Sequence, residues 1–131
     1  MAIPTEYTPG VCNIGPAEIA RRMRTGYVGA LVFVLVFALL FVLDAAAGWY
    51  LLLFFPAFAS ASGFVQAAYR FCYAFGFGSL FNFGELGQQQ GVTDDAARRQ
   101  DRAKAIRVVV TTMLIAGGVT LIVFGLMLSV G

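Results

Sequence analysis

The sequence predicts an all-α membrane protein with three transmembrane helices, and three observations carry that prediction. Hydrophobic residues make up 60% of the 131-residue chain and charged residues only 12%, with a mean hydropathy of +0.80, outside the range of soluble domains. The apolar residues gather into three stretches, each near the roughly 20 residues that a helix needs to cross about 30 Å of hydrocarbon. All nine Lys and Arg residues lie either before Thr25 or between Arg70 and Arg107, so the charges flank the stretches rather than interrupt them. At this length there is room for a single domain and no second core.

Residues 1–24 read as an arm and a helix start. Pro4, Pro9, Gly10 and Gly15 break regular structure in the arm. Met1 to Tyr7 is polar and lacks a basic region leading into an apolar run, so neither a signal peptide nor a lipoprotein site is expected around Cys12. Pro16 is placed where a missing N–H costs nothing, and Glu18 faces the positive end of the helix dipole. Arg21, Arg22 and Arg24 follow, then the first span at 25–43, bounded by Asp44. The short turn after Asp44 returns the second span antiparallel to the first, with Trp49 and Tyr50 as interfacial anchors.

The second span, 49–71, is the stretch against which the other two are expected to pack. Pro56 predicts a kink in its outer half. Ala59, Gly63 and Ala67 recur every fourth residue, a pattern that lets a neighbouring backbone approach closely. About 100° around the helix, Ser62, Gln66 and Arg70 form a polar stripe at the same spacing. Residues 72–92 mix aromatics with Gly76, Gly78, Gly84 and Gly87 and read as an irregular interfacial segment ending in a polar loop. Thr93 is the expected cap of a helical extension over 93–107, supported by Asp94–Arg98 and Asp95–Arg99 pairs. The extension runs unbroken into the third span, 108–130, which carries Gly117, Gly118 and Gly125 as a second small-residue face.

With three spans, both basic segments fall on one side, and the positive-inside rule makes that side cytoplasmic, with the N-terminus in and the C-terminus out. The expected location is the bacterial inner membrane. Arg21, Arg22, Arg24, Arg70, Arg98, Arg99, Arg102, Lys104 and Arg107 are then candidates for contact with anionic lipid headgroups or a partner. Interleaved with Asp94, Asp95 and Asp101 and adjoining a membrane helix, the run from Arg98 to Arg107 does not read as a nucleic-acid surface. Glu18 and Glu85 are expected to pair with Arg21, Arg22 or Arg70, and Asp44 to be a solvated helix end.

Chemistry has few footholds. There is no histidine, the commonest general base and metal ligand. No Gly-rich phosphate loop, nucleophile elbow or HExxH motif is present. Neither catalytic residues nor cofactor ligands are nominated, and no enzyme is expected. Cys12 and Cys72 could serve as a thiol pair for a soft metal or a redox step, but a metal wants four ligands; two inert, packed thiols are the plainer reading. A reducing compartment makes a disulfide between them unexpected.

Two stretches carry a resemblance: Cys12-Asn13-Ile14-Gly15-Pro16-Ala17-Glu18-Ile19 with Arg21-Arg22, and Arg70-Phe71-Cys72 with Phe81-Asn82-Phe83-Gly84-Glu85-Leu86. Over most of its length the chain resembles a family of small uncharacterised bacterial three-helix membrane proteins. The resemblance implies no activity; it marks the arm and the segment after the second helix as the distinctive features, expected to pack together. The function expected is that of a non-catalytic accessory subunit, assembling with itself or within a larger membrane complex. Alternatives are an oligomeric solute or ion conduit lined by Ser62, Gln66 and Arg70, and a thiol-dependent metal or redox protein using Cys12 and Cys72.

Overall fold

A computed structural model describes residues 6–130. Helix α1 runs over Pro16–Val42 with Pro16 in its first turn. A 3-10 segment, Ala47–Leu53, leads into α2, Phe54–Tyr69. A six-residue helix α3, Tyr73–Gly78, and two short antiparallel strands, β1 at Leu80–Phe81 and β2 at Gln90–Gly91, occupy the segment between the second and third spans. Helix α4, Asp95–Val130, is continuous. Pro16–Val42, Ala47–Tyr69 and Asp95–Val130 are each long and apolar enough to cross a membrane. At 1.5 Å per residue, the 36 residues of α4 reach about 54 Å, well beyond the hydrocarbon layer.

Pro56 falls near the start of the α-helical part of the second span. The span begins in 3-10 geometry over Ala47–Leu53 and becomes α-helical at Phe54, which places Pro56 in the first turn of α2. Both hairpin-forming helices stop in the same way, with a left-handed residue and two reversed hydrogen bonds. Asp44 (φ 53°) ends α1, with Asp44 N–H donating to Phe41 O and Ala45 N–H to Leu40 O. Arg70 (φ 53°) ends α2, with Arg70 N–H donating to Ala67 O and Phe71 N–H to Gln66 O. The cap of α4 is Asp94 rather than Thr93, because the Asp94 carboxylate accepts the Ala97 N–H at 3.1 Å. That occupies Asp94, and Arg98 instead lies 3.9 Å from Asp95 and donates through Nε to Val92 O at 2.8 Å.

Helix α2 is central, with α1 and α4 both packed against it. At the α1–α2 crossing the backbones nearly touch. A Cβ built on Gly63 would lie 2.4 Å from Arg22 O and 2.5 Å from Gly26 N, and one on Gly29 would lie 2.6 Å from Ser60 N. The Ser60 hydroxyl donates to Gly26 O at 2.8 Å across this contact. On the other side α4 presents Ala105, Val108, Thr112, Ala116 and Thr120, all buried, at spacings of three and four that keep them on one face. Thr112 and Thr120 return their hydroxyl protons to Val108 O and Ala116 O, so the face packs without orphaned donors. Val65, Phe71, Ala105 and Val108 form the buried cluster where α2, its C-terminal turn and α4 meet. The outward faces of α1 and α4, with Leu31, Leu35, Leu39, Leu114, Leu121 and Leu126 more than half exposed, are apolar surface of the kind that lipid solvates.

Candidate functional site

The basic end of the bundle is closed by a polar knot that the arm ties. Asn13, fully buried, uses its amide like a piece of β-ladder: Nδ2 donates to Cys72 O at 3.1 Å and Oδ1 accepts the Cys72 N–H at 2.7 Å. Its backbone continues the pattern, with Asn13 N–H donating to Arg70 O and Asn13 O accepting from Asn82 N–H. Asn82 mirrors it. The Asn82 carbonyl accepts the Gly15 N–H at 2.8 Å, its Nδ2 donates to Glu18 Oε1 and Glu85 O, and its Oδ1 accepts the Gly84 N–H. Gly15 is required where the two strands of chain meet, since a Cβ there would fall 2.9 Å from the Phe83 Cα. The stretches around Cys12 and Phe81 thus form one layer, with Ile14 bridging Asn82.

Buried Glu18 is held between Asn82 and Arg22, with which it forms an ion pair one helical turn apart. Arg22 in turn donates through Nη2 to Cys72 Sγ at 2.9 Å and lies 5.6 Å from the Phe75 ring centroid. Nearer the N-terminus, Tyr7 stacks on Phe81 at 4.6 Å and donates its hydroxyl to Asp101 of α4, whose other oxygen accepts the Gly10 N–H at 2.8 Å. Burial, reinforced by the bond to the Asp101 carboxylate, pushes the Tyr7 phenol well above its ordinary value of 10.0. Asp101 therefore ties the arm to α4, while Asn13 ties it to the turn after α2. Among the described residues no buried side-chain nitrogen or oxygen lacks a hydrogen-bond partner.

The remaining nominated residues divide between this end and the long apolar helices. Ser62 and Gln66 are buried and turned to each other, with Gln66 Nε2 donating to Ser62 Oγ at 2.9 Å and its Oε1 accepting the Tyr73 N–H at 3.3 Å. Arg70 leaves their stripe because the left-handed turn at that residue ends the helix one position earlier. A cleft of about 480 Å3 opens beside them, lined by Glu18, Arg22, Ser62, Gln66, Cys72 and Tyr73 among others. The two cysteines are free and buried, with different neighbours: Cys12 donates to Glu6 O at 3.5 Å, whereas Cys72 faces Arg22. Among the described residues no three His, Cys, Asp or Glu side chains converge as a metal set. Arg99, Arg102 and Arg107 are exposed on α4, and Lys104 rests over Tyr69 at 4.5 Å. Arg21 and Arg24 are exposed on α1.

The glycines also separate into two groups. Gly63 lies inside the α1–α2 crossing, with Ala67 buried one turn on and Ala59 half-buried one turn before. For Gly117, Gly118 and Gly125 an added Cβ would meet nothing within 4 Å among the described residues. Sequence reasoning did not single out Gly26 and Gly29, although their spacing of three on a span otherwise rich in large residues is a usable signal. It also passed over the roles of Asn13, Asn82, Tyr7 and Asp101. For the two amides the available signal is an Asn flanked on both sides by apolar residues, Cys12-Asn13-Ile14 and Phe81-Asn82-Phe83. No protein-family model, curated protein or solved structure matches the chain.

Proposed function

We propose that the protein is a non-catalytic accessory subunit of a membrane assembly, with its arm on the cytoplasmic side of a bacterial inner membrane and its C-terminal end on the other. The observation that carries this reading is the contrast between the two sets of glycines. Gly26, Gly29 and Gly63 are explained by the helix crossing within the chain, whereas Gly117, Gly118 and Gly125 leave bare backbone on α4 with nothing within 4 Å of an added Cβ among the described residues. A glycine inside a helix costs about 1 kcal/mol relative to alanine, and in membrane helices close backbone approach by a second helix is a common return for it. An apolar groove of about 330 Å3 on the α4 side of the bundle, between α1 and α4 and floored by Ala57, Ala61 and Val65 of α2, gives a partner helix further surface. The polar knot fits the same role, since its groups bond to one another and hold a fixed cap on the bundle rather than a reactive centre.

Native mass spectrometry of the protein extracted from its own membranes in mild detergent tests this. Copies of the chain or foreign subunits are expected to co-migrate, and Gly118→Leu with Gly125→Leu to release them while the monomer stays folded. A strict monomer, or complexes indifferent to both substitutions, overturns the reading. Reporter fusions at the two ends of the chain are expected in opposite compartments.

A further inference from the structure

We propose that the cleft between α1 and α2 at the basic end is a binding site for one anionic phospholipid, headgroup on Arg21 and Arg24 and one acyl chain along the groove below. The cleft measures about 490 Å3 and is lined by Arg21, Arg24, Thr25, Val28, Val32 and Pro56, with Gly29, Ala59 and Leu86 completing it. That volume lies within the roughly 300–1,000 Å3 of small-molecule sites. Its polarity is segregated end to end, as an amphiphile requires.

The helix spacing builds this arrangement. Arg21, Arg24, Thr25, Val28 and Val32 stand at intervals of three and four, so they line one face of α1 from the charged end inward. The twelve residues from Arg21 to Val32 span about 16 Å, enough to take the headgroup and the upper part of a chain. The groove exists because the glycine crossing draws the two backbones together, while the flanking α2 residues Pro56 and Ala59 are too short to fill the space beside it. Leu86, from the segment between the strands, walls the charged end.

Charge complementarity selects the occupant. Among the described residues the ion pairs are Arg22–Glu18 and Arg98–Asp95, which leaves Arg21 and Arg24 without a carboxylate. Both sit immediately before the uncharged run that begins at Thr25, the level of lipid phosphates in a bilayer. Guanidinium groups bind phosphate oxygens through paired, charge-assisted hydrogen bonds, and an apolar channel directly below favours a phosphate that carries a chain. This inference rests on the membrane-spanning reading and is independent of assembly: a monomer that holds its lipid would refute the accessory-subunit proposal and uphold this one.

The test is native mass spectrometry of the delipidated protein in detergent, titrated with phosphatidylglycerol, with phosphatidylcholine of the same chains, and with inorganic phosphate. One equivalent of phosphatidylglycerol is expected to bind, and at least about tenfold more tightly than phosphatidylcholine, whose choline cation is repelled by the guanidinium groups beside its phosphate, or inorganic phosphate, which lacks the apolar half. Arg21→Gln with Arg24→Gln is expected to weaken phosphatidylglycerol by a similar factor. Val32→Trp, which fills the groove and leaves the charges intact, should do the same. Arg99→Gln with Arg102→Gln, which removes equal charge from α4, should change binding less than about twofold. Val28 is 59% exposed, so Val28→Trp blocks the groove with little risk to folding and stands in if Val32→Trp fails to fold. Equal losses from both arginine pairs would mean diffuse charge attraction and overturn the site. So would binding that survives a filled groove, phosphatidylcholine bound as tightly, or inorganic phosphate bound as tightly.

Discussion

A single methyl group at Gly63 should open the bundle, and the size of the effect follows from the crossing. The added carbon would lie 2.4 Å from Arg22 O, whereas ordinary contact begins at 3.4 Å, so α1 and α2 must part by the difference, 3.4 − 2.4 = 1.0 Å. The obstructing atoms are backbone on both sides and have no rotamer with which to yield. Overpacking of this kind costs about 1–3 kcal/mol, and separation also stretches the Ser60–Gly26 bond, worth about 1 kcal/mol. Replacing glycine by alanine within a helix returns about 1 kcal/mol. The net expectation for Gly63→Ala is a destabilisation of about 1–3 kcal/mol. Cys72 reports it directly, because the residue is only 2% exposed and its thiol is covered by Arg22 from α1. In a Cys12→Ser background, labelling of Cys72 by a thiol reagent in detergent should accelerate roughly five- to 150-fold if opening precedes reaction. Gly117→Ala, whose added carbon meets nothing within 4 Å among the described residues, should label at the parent rate or more slowly. A Gly63→Ala protein labelled no faster than its parent would refute the argument that this crossing is backbone-tight.

Other parts of the knot make separate predictions. Asn13→Ala removes both bonds to the buried Cys72 peptide and should cost about 2–4 kcal/mol, read in the same labelling assay, because each stranded group carries its own desolvation penalty; a loss under 1 kcal/mol would mean that water replaces the amide. Tyr7 has its folded pKa raised, by burial and then by Asp101, so its contribution is whole below the ordinary value of 10.0 and is lost as pH climbs from there through the folded value. The difference in tyrosinate absorbance between the parent and Tyr7→Phe should therefore titrate above that ordinary value, and a midpoint at or below it would show that the arm is not latched to Asp101.

The apolar stretches, the start at Pro16 and the unbroken last helix could be read from the sequence because each depends on local pattern: a run of side chains, a proline with a glutamate two residues on, a charged extension without a breaker. What local pattern does not hold was missed. Pro56 marks the second span, but nothing nearby announces that Ala47 to Leu53 winds as 3-10 before the α-helix begins at Phe54. Arg70 continues the spacing of Ser62 and Gln66 on paper, yet the helix ends at Tyr69 in a turn usually given to glycine. The partnership of Asn13 with residues 72 and 82 is made of hydrogen bonds across 59 and 69 positions, and such pairing leaves no periodic trace. The candidate site was accordingly visible as composition, an arm and an aromatic segment, and invisible as a set of contacts.

The arm's place in the chain has a consequence for biogenesis. Asn13 leaves the ribosome well before the Cys72 and Asn82 peptides that will engage it, and Tyr7 leaves long before Asp101. The first hairpin can dock through its neighbouring glycines as soon as α2 is made, because that contact is closer in sequence, whereas the arm's tie to Asp101 must wait until the start of the final helix has been translated. Closure of the cap can then begin while the rest of α4 is still being made, because its last tie, to Asp101, lies near the start of that helix.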